Sequence, residues 1–162
     1  MLPLDCEAVM EIYNRWARKD GRMVRKVACL IAVSLILAPV AGRAQNANKE
    51  KAAVSAAEKW LGLIDAGKYA ASWNEAATFF RNAVTQGQWE QSLRAVRKPL
   101  GKLVSREVKT RMYKTSLPGV PDGQYVVIEF ETSFANKKSA VETVTAMLDK
   151  DGTWRVAGYF IK

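Results

Sequence analysis

The period of hydrophobicity changes once along this chain, near Gly101, and that change sets the class of fold. Before it, Val54, Ala57, Leu61 and Ile64 recur at helical spacing with Trp60 beside them. Gly67 is placed to end that helix in the left-handed cap conformation. Tyr69, Trp73, Ala76 and Phe80 form a second stripe. Thr85 and Gln88 have the spacing of a capping box opening a third helix, whose apolar face is Trp89, Leu93, Val96 and Leu100 and which Pro99 and Gly101 stop. After Gly101 the period is two. A strand is expected over 103–116 with Val104, Val108 and Met112 on one face. The Pro- and Gly-rich stretch 117–123 is a turn, and 125–134 a strand with Val126, Ile128, Phe130 and Phe134 on one face and Glu129 and Glu131 on the other. A third strand runs through Ala140 to Leu148. Asp149-Lys-Asp-Gly152 makes a tight hairpin, and Trp154, Val156, Gly158 and Phe160 alternate inward on a fourth. Helices followed by a run of strands predict an α+β domain: three N-terminal helices packed on a curved four-stranded antiparallel meander.

Ahead of this domain lies a segment of another kind. Met23 is followed by Arg25 and Lys26, by the uncharged apolar run 27–41, then by Pro39, Gly42 and Ala44. That is the order of a secretory signal peptide, spanning 23–44, with cleavage expected between Ala44 and Gln45. Arg43 ends the run short of the roughly 20 apolar residues a spanning helix needs. Met1 to Arg22 carries no clear function; translation starting at Met23 is the simpler reading, a cytoplasmic extension on an anchored protein the rival. Cys29 stands at the start of the apolar core, the wrong place for a lipidated cysteine, and Cys6 lies upstream. The expected layout is therefore an extension at 1–22, the signal segment at 23–44, a polar leader at 45–51 and one domain over 52–162. The working protein is expected to be exported, in the periplasm or outside the cell, held by no disulfide.

The chain contains no histidine, and its two cysteines precede Gln45. Zinc and copper sites and Ser-His-Asp or Cys-His nucleophile systems are thus not expected, and no cofactor or Gly-rich phosphate loop is indicated. The formal charge is +9; from Gln45 onward, 18 Lys and Arg against 12 Asp and Glu leave +6. The signs alternate along the sequence, with Arg97-Lys98 and Lys137-Lys138 the adjacent basic pairs after Gln45. No nucleic-acid partner is expected from this pattern, and a membrane only through an uncleaved signal segment.

The run Trp60-Leu-Gly-Leu-Ile-Asp65-Ala-Gly-Lys-Tyr69-Ala-Ala-Ser-Trp73, the Trp89 helix and the ending Asp151-Gly-Thr-Trp154-Arg-Val-Ala-Gly158-Tyr159 resemble the bacterial family called domain of unknown function 4019. The resemblance extends from about Ala52 to Lys162. The wider similarity is to the nuclear-transport-factor-2-like, or cystatin-like, α+β cone. It implies helices inside a curled sheet with a pocket at the wide end, and it selects no single function.

Two groups of residues are candidates for a site. Trp60, Tyr69, Trp73, Phe80, Trp89 and Phe130 are expected either to line an apolar ligand pocket or to fill the core. Among the carboxylates, Asp65 is expected to cap the turn into the Tyr69 helix. Glu129 and Glu131 are expected to pair with Arg106, Lys109 or Arg111. Glu142 stands on an otherwise apolar strand face and is the best single polar candidate, against the simpler reading of an ion pair. The leading expectation is a non-catalytic exported module binding a small apolar ligand or an envelope protein. The alternatives are a ketosteroid-isomerase-like enzyme using Glu142 with Tyr159 or Tyr113, and a module that homodimerises through its sheet face.

Overall fold

The computed structural model describes residues 40–162, with side chains from Gln45 onward. The upstream extension, both cysteines and most of the signal segment lie outside the described residues. Helix α1 (Val40–Asp65) is longer than its apolar stripe, because residues 45–51, read from the sequence as a polar leader, are helical too. Its end is a Schellman motif: Gly67 at φ 70° lets Gly67 N–H reach Ile64 O at 2.9 Å and Lys68 N–H reach Leu63 O at 2.8 Å. Among the described residues no helix is long and apolar enough to cross a membrane.

The second expected helix is two: α2 (Tyr69–Asn74) and α3 (Thr78–Ala83). The break has an identifiable partner. Ala77 is extended, with ψ 148°, and its N–H donates to Val156 O on the last strand at 2.8 Å. Arg81 closes the gap from the other side, donating to Asn74 O at 2.8 Å and to Ala76 O. Helix α4 (Gln86–Val96) opens with the capping box its sequence indicates: Gln88 N–H donates to Thr85 Oγ1 and Thr85 N–H to Gln88 Oε1. A 3-10 turn (Lys98–Leu100) then leads to Gly101. At the end of α4, Val96 is 50% exposed and Arg97 is the buried residue, a reversal of the expected face. Arg97 is held inward by an acid and by the Phe134 ring, 4.3 Å below its guanidinium.

Strands β1 (Leu103–Lys114), β2 (Tyr125–Phe134), β3 (Lys137–Leu148) and β4 (Trp154–Ile161) form one antiparallel sheet in the order β1-β2-β3-β4. Its inner face meets the helices in one buried cluster: Ala57, Trp60, Leu61 and Ile64 of α1 and Trp89 of α4 with Val126, Ile128, Phe130, Val144 and Val156.

Three irregularities on β1 and β4 correct the simple alternation. On β1, Val108 pairs with Phe130 but Thr110 with Glu129, so Lys109 is an extra residue. A second irregularity falls at Val104. The face therefore changes parity along the strand. Of the three residues expected to point one way, Val108 packs on the core, while Val104 and Met112 are 62% and 49% exposed. On β4, Thr145 pairs with Gly158 and Ala146 with Val156, leaving Ala157 extra. Trp154 and Val156 face the core as expected; beyond the bulge it is Tyr159, and not Gly158 or Phe160, that packs there.

Candidate functional site

Six elements each send one polar side chain to a common point beneath the sheet. Glu142 on β3 is its centre and has no exposed surface. One carboxylate oxygen, Oε2, accepts from Arg106 Nε at 2.6 Å and Thr132 Oγ1 at 2.7 Å. The other, Oε1, accepts from Arg106 Nη2 at 3.1 Å and from the Tyr159 hydroxyl. Arg106 also reaches Asp65, with Nη1 to Oδ2 at 2.7 Å and Nη2 to Oδ1 at 3.1 Å. Arg97 completes the group from the end of α4, giving Nη2 to Asp65 Oδ1 at 3.0 Å and Nη1 to Gly101 O. Two guanidinium groups thus face two carboxylates.

Local structure explains why each residue arrives there. Asp65 is in the last turn of α1, beside the negative end of the helix macrodipole, where a carboxylate is unfavourable unless cations meet it. The two arginines meet it. Arg106 lies opposite Thr132 in the β1–β2 ladder, and Thr132 opposite Ala140, two residues along from the Phe130–Glu142 pair and on the same face. The guanidinium therefore reaches Glu142 diagonally across β2. The bulge at Ala157 turns Tyr159 inward beside Val144. Burial pulls the Arg106 pKa down, but the hydrogen bonds it donates to Asp65 and Glu142, with their charges, outweigh it and hold the guanidinium charged. Burial, then the charge and hydrogen bond of Glu142, push the Tyr159 hydroxyl well above the usual tyrosine range.

A general base needs a lone pair aimed at a substrate proton. Glu142 has two donors on each oxygen, which fills a carboxylate's ordinary capacity. The arrangement can hold charge and position strands; it offers no open face to a substrate. Tyr113, the other hydroxyl considered with Glu142, donates instead to Gln124 Oε1 at 3.2 Å and lies under Lys49. Asp65 joins this network where capping was expected. Arg106 turns inward to it, away from Glu129 and Glu131; Glu129 accepts from Thr110, and Arg111 pairs with Glu50 of α1 at 3.4 Å. Arg97 and Thr132 escaped the sequence reading. For Arg106 a signal existed, since it shares a strand face with Val108.

The aromatic candidates pack on one another. Trp60 and Trp89 have ring centroids 5.7 Å apart, and Phe80 meets Trp89 edge-on at 5.1 Å. Tyr159 stands edge-on to Trp60 at 5.5 Å, joining this cluster to the polar one. Both buried indoles are satisfied at Ser72, Trp60 Nε1 donating to its carbonyl at 2.7 Å and Trp89 Nε1 to its hydroxyl at 2.9 Å. Phe130 is buried in the same cluster, with Tyr69 and Trp73 packed against it. Two concavities lie elsewhere. A groove of about 780 Å³ runs between α3, the 115–124 loop and the β3–β4 hairpin, with Phe79, Tyr125, Met147 and Arg155 on its walls. A second, of about 660 Å³, lies between α1 and β4, and Trp60 is the one aromatic candidate that borders it. Among the described residues no group of three acidic, cysteine or histidine side chains is placed to hold a metal ion.

No curated protein and no solved structure matches the chain. The model of one protein family does, over residues 56–159, from within α1 through Tyr159. That span contains Asp65, Arg97, Arg106, Thr132, Glu142 and Tyr159, the whole polar network. The chain belongs to the family described as protein of unknown function (DUF4019).

Proposed function

We infer that this protein is a non-catalytic binding module of the cell envelope, exported by the segment 23–44, cleaved after Ala44 and built as helices inside a cystatin-like cone. The observation that carries the reading is Glu142. Among the described residues it is the one carboxylate with no exposed surface, and both its oxygens are fully engaged by Arg106, Thr132 and Tyr159. An acid–base enzyme would keep such a group reachable. With the Trp60–Trp89–Tyr159 cluster closed on itself, the binding surface falls outside the core, and the Phe79–Met147 groove is where a small ligand of mixed polarity fits best.

The test is mass spectrometry on protein purified from its host, denatured and under native conditions. A denatured mass beginning at Gln45 and a native mass above that of the polypeptide support the reading. A chain retaining residues 1–44 removes the export half. An enzymatic activity abolished equally by Glu142→Gln and Tyr159→Phe, in folded protein, removes the other.

A further inference from the structure

The sequence shows its basic residues dispersed, but the meander gathers five of them. In an antiparallel sheet the start of β1, the end of β2, the start of β3 and the end of β4 share one end. Here the join is explicit. Asn136 N–H donates to Leu100 O at 3.0 Å, Asn136 Nδ2 to Pro99 O at 2.9 Å and Ala135 N–H to Lys102 O at 2.8 Å. On the other side Lys162 and Val141 exchange backbone hydrogen bonds at 2.9 and 3.2 Å. Lys98, Lys102, Lys137, Lys138 and Lys162 therefore crown one end of the sheet; all are exposed, and none pairs with a carboxylate among the described residues.

The acids that could neutralise this pole are occupied or displaced. Asp65 and Glu142 are spent on Arg97 and Arg106. Glu107 and Glu131 face each other in the row that runs through Val141 to Lys162, and neither forms an ion pair with a lysine of the pole. The opposite end of the sheet is mixed: Glu75, Asp122, Asp149 and Asp151 stand there among Arg81, Lys150 and Arg155, with Arg155 tied to two of the acids. The sheet therefore has one positive end and one nearly balanced end, and such an asymmetry orients a protein before contact.

Two large apolar side chains stand exposed within the same pole. Val96 immediately precedes Arg97-Lys98, and Val104 follows Lys102-Leu103. Flexible lysines spread around a rim, with no pocket and no arginine fork among them, suit a fluid array of headgroups better than one fixed phosphate. Exposed valines between the cations gain at the headgroup–acyl boundary and gain nothing on a soluble polyanion. We propose that this lysine-crowned end of the sheet docks the protein on an anionic phospholipid surface.

The experiment is vesicle co-sedimentation of the protein as purified from its host. Phosphatidylcholine vesicles with and without phosphatidylglycerol are compared at about 0.1 M and about 1 M salt, between which the screening length falls from about 10 Å to about 3 Å. Binding should require phosphatidylglycerol and be lost at high salt. The Lys98→Gln/Lys102→Gln/Lys137→Gln/Lys138→Gln variant should bind on the order of several hundredfold more weakly, at about fivefold per surface lysine. Its circular dichroism should be unchanged, since none of the four side chains makes a contact that holds the fold. Val104→Ser should weaken vesicle binding a few-fold and leave binding of soluble polyphosphate unchanged. Equal sedimentation of the quadruple variant and the native protein, or equal binding to neutral vesicles, overturns the proposal. So does tighter binding to polyphosphate than to the vesicles, which makes the pole a polyanion site.

Discussion

Changing Glu142 to glutamine removes one unit of charge from the middle of the polar network while keeping the shape of the side chain. Arg106 then faces an amide where it faced a carboxylate, at positions 2.6 and 3.1 Å away, and of its two anionic partners only Asp65 remains. Asp65 must in turn serve both Arg106 and Arg97. Stranding one member of a buried pair costs about 3–5 kcal/mol. That is a large part of the 5–15 kcal/mol that separates folded from unfolded for a typical domain. Arg106→Met should cost a similar amount, because it leaves Glu142 buried with hydroxyl donors alone. The combination Glu142→Gln/Arg106→Met removes both charges and leaves Asp65 and Arg97 as a matched pair. It should cost no more than either single change, a coupling of several kcal/mol. Urea unfolding followed by tryptophan fluorescence reads these values, with the slope against urea held as the check that the unfolded state has not changed. The reasoning is wrong if Glu142→Gln costs less than about 1 kcal/mol, or if the double variant costs the sum of the singles.

Tyr159 supplies a prediction in pH. Its folded pKa is raised by burial and by Glu142, so its contribution to stability is complete below the ordinary tyrosine value of about 10 and is lost as pH rises beyond it, at about 1.4 kcal/mol per pH unit. Tyr159→Phe should flatten the alkaline limb of a plot of stability against pH without abolishing it, because Tyr125 is also raised, by burial and by Asp122. An unchanged limb would mean the hydroxyl ionises freely in the folded protein. Ser72→Ala should destabilise by about 1–3 kcal/mol, since it leaves the buried Trp89 N–H without an acceptor while Trp60 keeps the Ser72 carbonyl. A loss below about 0.5 kcal/mol in the same urea assay would show that Trp89 finds another partner.

What the sequence disclosed was local. The capping box at Thr85 and Gln88, the left-handed end at Gly67, the Asp149–Gly152 turn and the four strands depend on residues within a few positions of one another, and all are present. The partition of faces failed where a single inserted residue reversed it. Lys109 and Ala157 carry no mark in sequence that separates a bulge from a regular strand position, yet they decide whether Met112 or Tyr113, Phe160 or Tyr159, faces the core. Glu142 stood out because an acid on an apolar face must be answered by something. Which residues answer it could not be read, since Arg106 lies 36 positions away and Asp65 a further 41 from Arg106. The lysine pole stayed hidden for the same reason: its members are dispersed in sequence and adjacent only once the meander is folded.

The bond from Ala77 N–H to Val156 O has a consequence for how this sheet meets other chains. A strand edge can add a neighbour only where its outward carbonyl and amide groups are free. On β4 the mid-strand carbonyl is already taken and the next residue is bulged, so that edge accepts no regular partner. β1 is the remaining edge, and there Glu50 of α1 already caps the Tyr113 N–H. Two chains joining edge to edge therefore have one geometry, β1 against β1, and that junction consumes the available edge of each. Repeated head-to-tail addition, the route to a fibre, needs two unlike edges per molecule. This fold supplies one, so any edge pairing terminates at two chains.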